Sequence, residues 1–353
     1  MAYGEFDLIA AITDRLPATG PRVRVASGDD AAVVEPGDRA AAVSVDAIVE
    51  GVHFTLPEFP PEAVGRKALA AALSDLAAMG AAPGEAYVVL GAPAGADDPT
   101  LLAIADGIAA VAGREGVSIA GGDLVAAPQI FLAVTTVGYE GGAPLVRRAG
   151  AQAGDLVAVT GELGGAAAAL ELLTGGARAE GISPERRDAM LARQLDPRPR
   201  LAAGEALASA GATSMIDLTD GLGADAGHLA AAGGRGIEID LDRLPLAEGV
   251  AEVARRGGAV ELAAVGGEDL ELLATLPPER INDARAAVAA GGLELTEIGY
   301  VTDGEGVSLH LPGGGELEPV GFDHRRGSRS GSAGSGSGSS GSASSGSGSS
   351  GSG

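Results

Sequence analysis

The chain contains no cysteine and no tryptophan, and only one of its 353 residues, Lys67, is a lysine. Without cysteine there are no disulfides, no thiolate metal sites and no cysteine nucleophile. The lone lysine is not part of a Gly-x-x-x-x-Gly-Lys-Ser/Thr loop, so the chain has no P-loop. Gly161–Gly165 reads Gly-Glu-Leu-Gly-Gly and lacks the full spacing of a dinucleotide loop, and neither His-Glu-x-x-His nor Gly-x-Ser-x-Gly occurs. Aromatic residues are 3% of the chain against 46% apolar residues, many of them alanine, so the cores must be packed from Ala, Leu and Val with close helix approach. No apolar run approaches the ~18 residues of a membrane span, and the N-terminal Met-Ala-Tyr-Gly-Glu-Phe-Asp has no basic leader. A cytoplasmic protein without membrane contact is expected.

Cationic residues are also scarce. Lys and Arg total 24 against 48 Asp and Glu, a formal net charge of −24. Nucleic-acid binding needs a basic surface, which this balance excludes. A polyanionic substrate would be repelled unless bound cations reversed the local field. A nucleotide substrate therefore implies metal ions integral to its site.

What is present is an alternation of strands and helices. Residues 31–34 and 40–46 are β-leaning runs joined by Glu35-Pro36-Gly37-Asp38, which predicts a hairpin. Pro61 to Gly80 and Leu101 to Glu115 predict helices, and 86–90, 117–120 and 130–137 predict strands. Residues 146–154 read as irregular. A second cycle follows, with strands at 155–160, 215–218, 237–241 and 270–276, and helices at 164–173, 197–210 and 224–232. The expected fold is α/β (α+β) in two domains, residues 1–148 and 149–326. From 327 to 353 the chain is nearly all Gly and Ser, a composition expected to stay disordered.

Acidic residues recur at the ends of apolar strands beside glycines, where α/β proteins bind ligands. The places are Gly28-Asp29-Asp30, Ser44-Val45-Asp46, Gly121-Gly122-Asp123, Asp217-Leu218-Thr219-Asp220 and Gly266-Gly267-Glu268-Asp269. Such oxygens suit Mg²⁺, which keeps waters and bridges to phosphates. In a hairpin centred on Pro36-Gly37, Asp30 would face Val43 or Ser44, and Ser44 and Asp46 would share a face. Asp29 and Asp30 could equally form a plain turn. Asp75 lies inside a predicted helix whose adjacent stripe is Ala71, Ala72, Ala78 and Met79, so it is either solvated or held by a metal. Asp217 and Thr219 share a strand face, and Asp220-Gly221 opens a helix whose N-terminus could receive phosphate, or Asp220 could be an ordinary cap. Arg147 and Arg148 are either a surface pair or a phosphate clamp, and His53 is either a packed or solvated imidazole or a ligand contact.

Taken in order, the segments Gly-Asp-Asp-Ala-Ala, Ser-Val-Asp, Gly-Val-His-Phe, Leu-Ser-Asp-Leu-Ala-Ala-Met-Gly-Ala, Gly-Gly-Asp, Arg-Ala-Gly-Ala, Ile-Asp-Leu-Thr-Asp-Gly-Leu and Gly-Gly-Glu-Asp resemble the thiamine-monophosphate kinases, within the aminoimidazole-ribonucleotide-synthetase-like superfamily. Gly-Glu-Phe-Asp-Leu-Ile near the start and Gly-Phe-Asp-His at 321–324 fit the same pattern, so the likeness runs from Gly4 to His324. The resemblance implies two α/β domains, a homodimer, and ATP bound with several Mg²⁺ ions. It implies Asp30, Ser44, Asp46, Asp75, Asp123, Asp217 and Asp220 as magnesium ligands. Val45 stands where the family usually has Thr, so a ligand there would be its backbone carbonyl. Gly122, Asp123, Arg148 and Thr219 would contact ATP, with Thr219 replacing the more usual Ser. His53, Glu268 and Phe322 would contact thiamine monophosphate. Asp46, Asp75, Arg148 and Asp220 would carry the chemistry.

Relatives in the superfamily supply the rival readings. Selenophosphate synthetases and the hydrogenase-maturation relative usually carry cysteine, which this chain lacks. An aminoimidazole-ribonucleotide synthetase would need other substrate motifs. A non-catalytic acidic metal-binding protein would bind Mg²⁺ without turning over ATP.

Overall fold

The computed structural model describes residues 8, 11–16, 21–25, 33–177, 182–254 and 258–322. Its first half holds strands β1 (Val23–Val25), β2 (Val33–Val34), β3 (Ala41–Val49), β4 (Ala81–Ala92), β5 (Ser118–Ala126) and β6 (Phe131–Glu140), with helices α1 (Pro61–Ala78) and α2 (Asp98–Glu115). Four strands form one sheet in the order β3-β6-β4-β5, antiparallel except for the parallel pair β4–β5. Proline at its first position starts α1 with a preset φ. Asp97 caps α2, its carboxylate accepting the Thr100 N–H at 3.0 Å.

The second half continues with β7 (Leu156–Thr160), α3 (Gly165–Leu173), α4 (Pro184–Leu195), α5 (Leu201–Ala210), β8 (Ser214–Asp217), α6 (Leu222–Gly233), β9 (Gly236–Asp240), α7 (Val250–Val253), α8 (Ala259–Val265), β10 (Leu272–Leu276), α9 (Ile281–Ala290), β11 (Leu295–Thr302), β12 (Gly306–His310) and β13 (Glu316–Leu317). Its seven-stranded sheet runs β13-β12-β9-β11-β7-β10-β8, parallel only between β9 and β12. The described residues form one compact unit. One hydrophobic cluster crosses both halves. It joins Leu69, Leu73 and Leu76 of α1 to Leu132 of the first sheet and to Leu207, Met215, Leu272 and Leu276 of the second half.

Close helix approach, expected from the alanine-rich composition, is carried to its limit between α1 and α2. A Cβ on Gly65 would lie 1.9 Å from the Ile104 carbonyl oxygen, and one on Gly107 would lie 2.0 Å from that of Glu62. Only glycine at both places lets the backbones touch.

The hairpin predicted between residues 31–34 and 40–46 does not form. The short β2 pairs with β1, while β3 pairs along its whole length with β6, Ala41 opposite Tyr139 through Val49 opposite Phe131. The nine-residue β3 gains far more ladder from β6 than from a two-residue neighbour. Asp30 lies outside the described residues. The shared face of Ser44 and Asp46 does hold. Both are half-buried, with Ala42 half-buried and Ile48 buried on the same face, whereas Ala41, Val43, Val45 and Ala47 are exposed on the other face. The helix expected at 197–210 begins only at Leu201, because Pro197 and Pro199 restrict the residues before them.

Candidate active site

Helix α1 packs against the first sheet on one side and against β8, α4 and α5 on the other. It therefore carries its polar residues to the seam between the halves. Asp75 meets β3 there, and its Oδ2 accepts the Ser44 hydroxyl. The two line a cavity of about 190 Å³ with Met79, Arg148 and Met215. That volume is below the ~300 Å³ at which small-molecule pockets begin, so it suits phosphate groups and their counterions rather than a whole nucleotide. Arg148 is exposed in the irregular stretch predicted at 146–154.

Asp217, at the end of β8, is 3% exposed, and its Oδ2 has no hydrogen-bond partner. Burial, and then the charge of Asp75, push its carboxyl up to about 6, against which the nearby Arg148 charge works. Two carboxylates with one partnerless buried oxygen fit a hard cation better than they fit each other. Among the described residues, no three His, Asp or Glu side chains already converge as a metal cage. Asp46 Oδ1 accepts the N–H of Ala47, and Asp123 Oδ1 that of Leu124. Asp123 is exposed within the edge strand β5, three residues before its end, beside Gly122, rather than at the strand end expected from sequence. A Cβ at Gly122 would lie 2.1 Å from the Val88 carbonyl oxygen, so the glycine lets β4 and β5 close up beside Asp123.

The turn after β8 differs from the sequence reading. The N–H groups of Thr219, Asp220 and Gly221 all donate to one oxygen, Oδ2 of Asp225, at 3.0, 3.1 and 3.1 Å. These amides are therefore taken and do not present themselves to a phosphate. Burial, followed by the charges of Asp220 and Asp217, pushes the Asp225 carboxyl up to about 7. Asp225 fixes the turn that aims Thr219 and Asp220, a role the sequence analysis did not assign. The Gly161–Gly165 loop is held in a similar way. Asp269 accepts the N–H groups of Gly164 and Ala166 at 2.7 and 3.0 Å, and burial pushes its carboxyl up to about 6.

The acceptor-side residues lie around the same turn. Glu268 N donates to the Thr219 carbonyl, and Phe322 N donates to that of Asp220. Glu268 has φ of 72°, a left-handed backbone that costs a non-glycine residue about 1–2 kcal/mol. Its carboxylate takes Lys67 Nζ at 2.6 Å and Gln194 Nε2 at 2.7 Å. Burial alone would raise its pKa, but the Lys67 ammonium, with Gln194 and His53, outweighs burial and holds the carboxyl below the usual range. His53 Nδ1 accepts the Val49 N–H at 3.0 Å, which fixes the imidazole at the end of β3. The structure thus groups Ser44, Asp75 and Arg148 at one cavity, with the buried Asp217 within reach of the Asp75 and Arg148 charges, and sets Glu268 and Phe322 against the turn that carries Thr219 and Asp220. Lys67 and Gln194 were not anticipated. The single lysine of the chain, set in an apolar helix, was the available signal for the first.

Two family models match the chain: AIR synthase related protein, N-terminal domain, over residues 28–139, and AIR synthase related protein, C-terminal domain, over 152–312. The thiamine-monophosphate kinase of Salmonella typhimurium is 36% identical over 327 residues, covering 92% of this chain and 97% of the relative. That of Mycobacterium tuberculosis is 42% identical over 246 residues, 69% of this chain and 70% of the relative. The chain belongs to the thiamine-monophosphate kinase family. Among solved structures, the family's member from Stenotrophomonas maltophilia K279a superposes with a TM-score of 0.77 at 34% identity, covering 88% of this chain and 97% of that one. A structure described as AaThiL complexed with AMPPCP and TMP gives 0.72 at 34% identity, covering 91% and 97%. Escherichia coli HypE shares the fold, with a TM-score of 0.69 at 22% identity.

Proposed function

We propose that this kinase-family chain transfers the γ-phosphate of ATP to thiamine monophosphate, giving thiamine diphosphate and ADP. The observation that carries the reading is the cavity where Ser44, Asp75 and Arg148 meet beside the buried, partnerless oxygen of Asp217, in a chain of this family. Bound Mg²⁺ would supply charge neutralisation between two polyanions. Asp30, Ser44, Asp46, Asp75, Asp123, Asp217 and Asp220 would hold it, with the Val45 carbonyl. Arg148, Gly122, Asp123 and the Thr219 hydroxyl would hold ATP, the Thr219 amide being engaged by Asp225. His53, Glu268 and Phe322 would hold thiamine monophosphate. The acceptor is a phosphate with a second pKa near 6, already anionic at neutral pH, so no general base is needed. The residues' task is to orient donor and acceptor in line. Transfer is direct, and a radiolabelled phosphoprotein trapped in a single turnover would refute this.

The chain is read as a homodimer joined through the outer face of the first sheet, where Val43 and Val45 stand 64% and 67% exposed. Its two functional domains are residues 1–148 and 149–326, a division supported by the separate sheets on either side of 146–154. Consumption of ATP favours a cytoplasmic enzyme.

The test is incubation with ATP, Mg²⁺ and thiamine monophosphate, with thiamine diphosphate and ADP quantified. Equimolar products that vanish in Asp75→Ala and Asp220→Ala are expected. ADP without thiamine diphosphate would move the acceptor to another compound. Mg²⁺ binding with no turnover would favour a non-catalytic protein.

A further inference from the structure

The three side chains Lys67, Gln194 and Glu268 form a closed ring. Lys67 Nζ meets Glu268 Oε1 at 2.6 Å and donates to Gln194 Oε1 at 2.8 Å, while Gln194 Nε2 donates to Glu268 Oε2 at 2.7 Å. Each comes from a different segment: α1, α4 and the loop before β10. The ring is asymmetrically buried. Lys67 and Gln194 are 5% and 1% exposed, whereas 34% of the Glu268 side chain reaches solvent. The buried pair is itself fixed. Lys67 Nζ sits 5.3 Å from the centre of the buried Phe59 ring, and Gln194 Nε2 also donates to the Ala166 carbonyl.

A structural ion pair between the halves could have been placed on ordinary backbone. Here the acid sits on a residue with φ of 72°, one residue after Gly267 and tied to the Thr219 carbonyl. Such strain persists only where the surroundings over-determine it, and it clusters at ligand sites. A buried charge must also be paired, and a charge-assisted bond on each oxygen leaves Glu268 one orientation. We infer that Lys67, with Gln194, is a positioning residue for Glu268, and that this ring sets the affinity for the thiamine-monophosphate acceptor without touching ATP. The inference rests on the proposed acceptor reaction and adds to it the two residues that hold the acceptor-side carboxylate. Lys67 donates no proton and takes no part in the transfer.

The test is a double-substitution cycle read by steady-state kinetics on the full chain, with KM for thiamine monophosphate and for ATP measured separately. Lys67→Met should raise the acceptor KM by roughly ten- to a hundredfold, the scale of one lost charge-assisted bond, and leave the ATP KM within about twofold. Glu268→Gln should do the same. Because Lys67 acts through Glu268, the two together should be no worse than Glu268→Gln alone. The double variant also removes the unpaired buried charge, so it folds even if Lys67→Met does not, and its equality with Glu268→Gln then carries the test. Gln194→Leu should shift the acceptor KM in the same direction by a smaller factor. An unchanged acceptor KM in Lys67→Met, effects that multiply in the double variant, or an equal rise in both KM values would overturn the inference while the wild-type reaction stands. A wild type that fails to convert thiamine monophosphate would instead remove the functional reading beneath it.

Discussion

Two buried aspartates a few residues apart should respond to substitution in opposite ways. Asp217 has an oxygen with no partner, and burial, followed by the charge of Asp75 beside it, raises its pKa to about 6. Removing that charge relieves a cost, so Asp217→Asn should stabilise the metal-free protein at pH 7.5 by on the order of 1–3 kcal/mol. It should also abolish the gain in melting temperature on adding Mg²⁺ and ATP. Asp225 gathers three backbone N–H groups on one oxygen. Asp225→Ala orphans all three and should destabilise by roughly 3 kcal/mol or more, while Asp225→Asn, which keeps an acceptor oxygen, should fall between. Urea unfolding of both variants with and without ligand checks the pair. Equal destabilisation by both changes would contradict the division of roles.

Secondary-structure elements were legible in the sequence where the signal was local. Pro61 and Gly80 bracketed α1 to within two residues, and α2, expected from Leu101, begins three residues earlier at Asp98, behind its cap Asp97. Strand partners were not legible. The Glu-Pro-Gly-Asp turn suggested that β2 and β3 would pair, but the choice of β6 depends on residues some ninety positions away. β4 begins five residues before its expected apolar run at 86–90, because a bulge near Pro83 absorbs a proline and a glycine that argued against a strand. Helix α4 escaped notice because it buries only Met190 and Gln194, so its apolar face is almost absent, and with it went Gln194. Asp217 could be picked out as an acid at a strand end, and Asp75 as a carboxylate on an otherwise apolar helix stripe. The ring that orients Glu268 could not, since it joins three segments distant in the chain. At this scale Gly122 gives a further prediction. A methyl group there meets the Val88 carbonyl at 2.1 Å, so Gly122→Ala must pry β5 from β4. A loss of about 1–3 kcal/mol in thermal unfolding and a raised KM for ATP are expected. A variant with wild-type stability and ATP KM would show that the strands yield without consequence.

For the molecule as a whole, pH and assembly are the accessible variables. Burial leaves Asp217, Asp225 and Asp269 with carboxyls near 6, 7 and 6. Each binds its proton more tightly when folded than when unfolded. Metal-free protein should therefore gain stability as pH falls from about 7 towards the unfolded carboxylate value near 4, and lose it as pH rises through 6 to 7. The net charge of −24 adds self-repulsion in the same direction. A melting temperature higher at pH 5 than at pH 7.5 is the expected result, and the reverse order would contradict it. The first sheet supplies the assembly test. Ala133 lies between Ala47 and Val89 on the outward face, in register with both. Ala133→Arg should convert the proposed dimer to monomer in sedimentation velocity. A wild-type monomer, or a variant that stays dimeric, would place the interface elsewhere or remove it.

Lys67 has a practical consequence as well. With one lysine in the chain, and that one held on Glu268 and Gln194 with 6% of its side chain exposed, acylating reagents find no ready side-chain amine in the folded protein. Dye conjugation through side-chain amines would therefore be slow while the site is intact. An acyl group on Lys67, seen by peptide mass, would record the moment at which the ring around Glu268 has come apart.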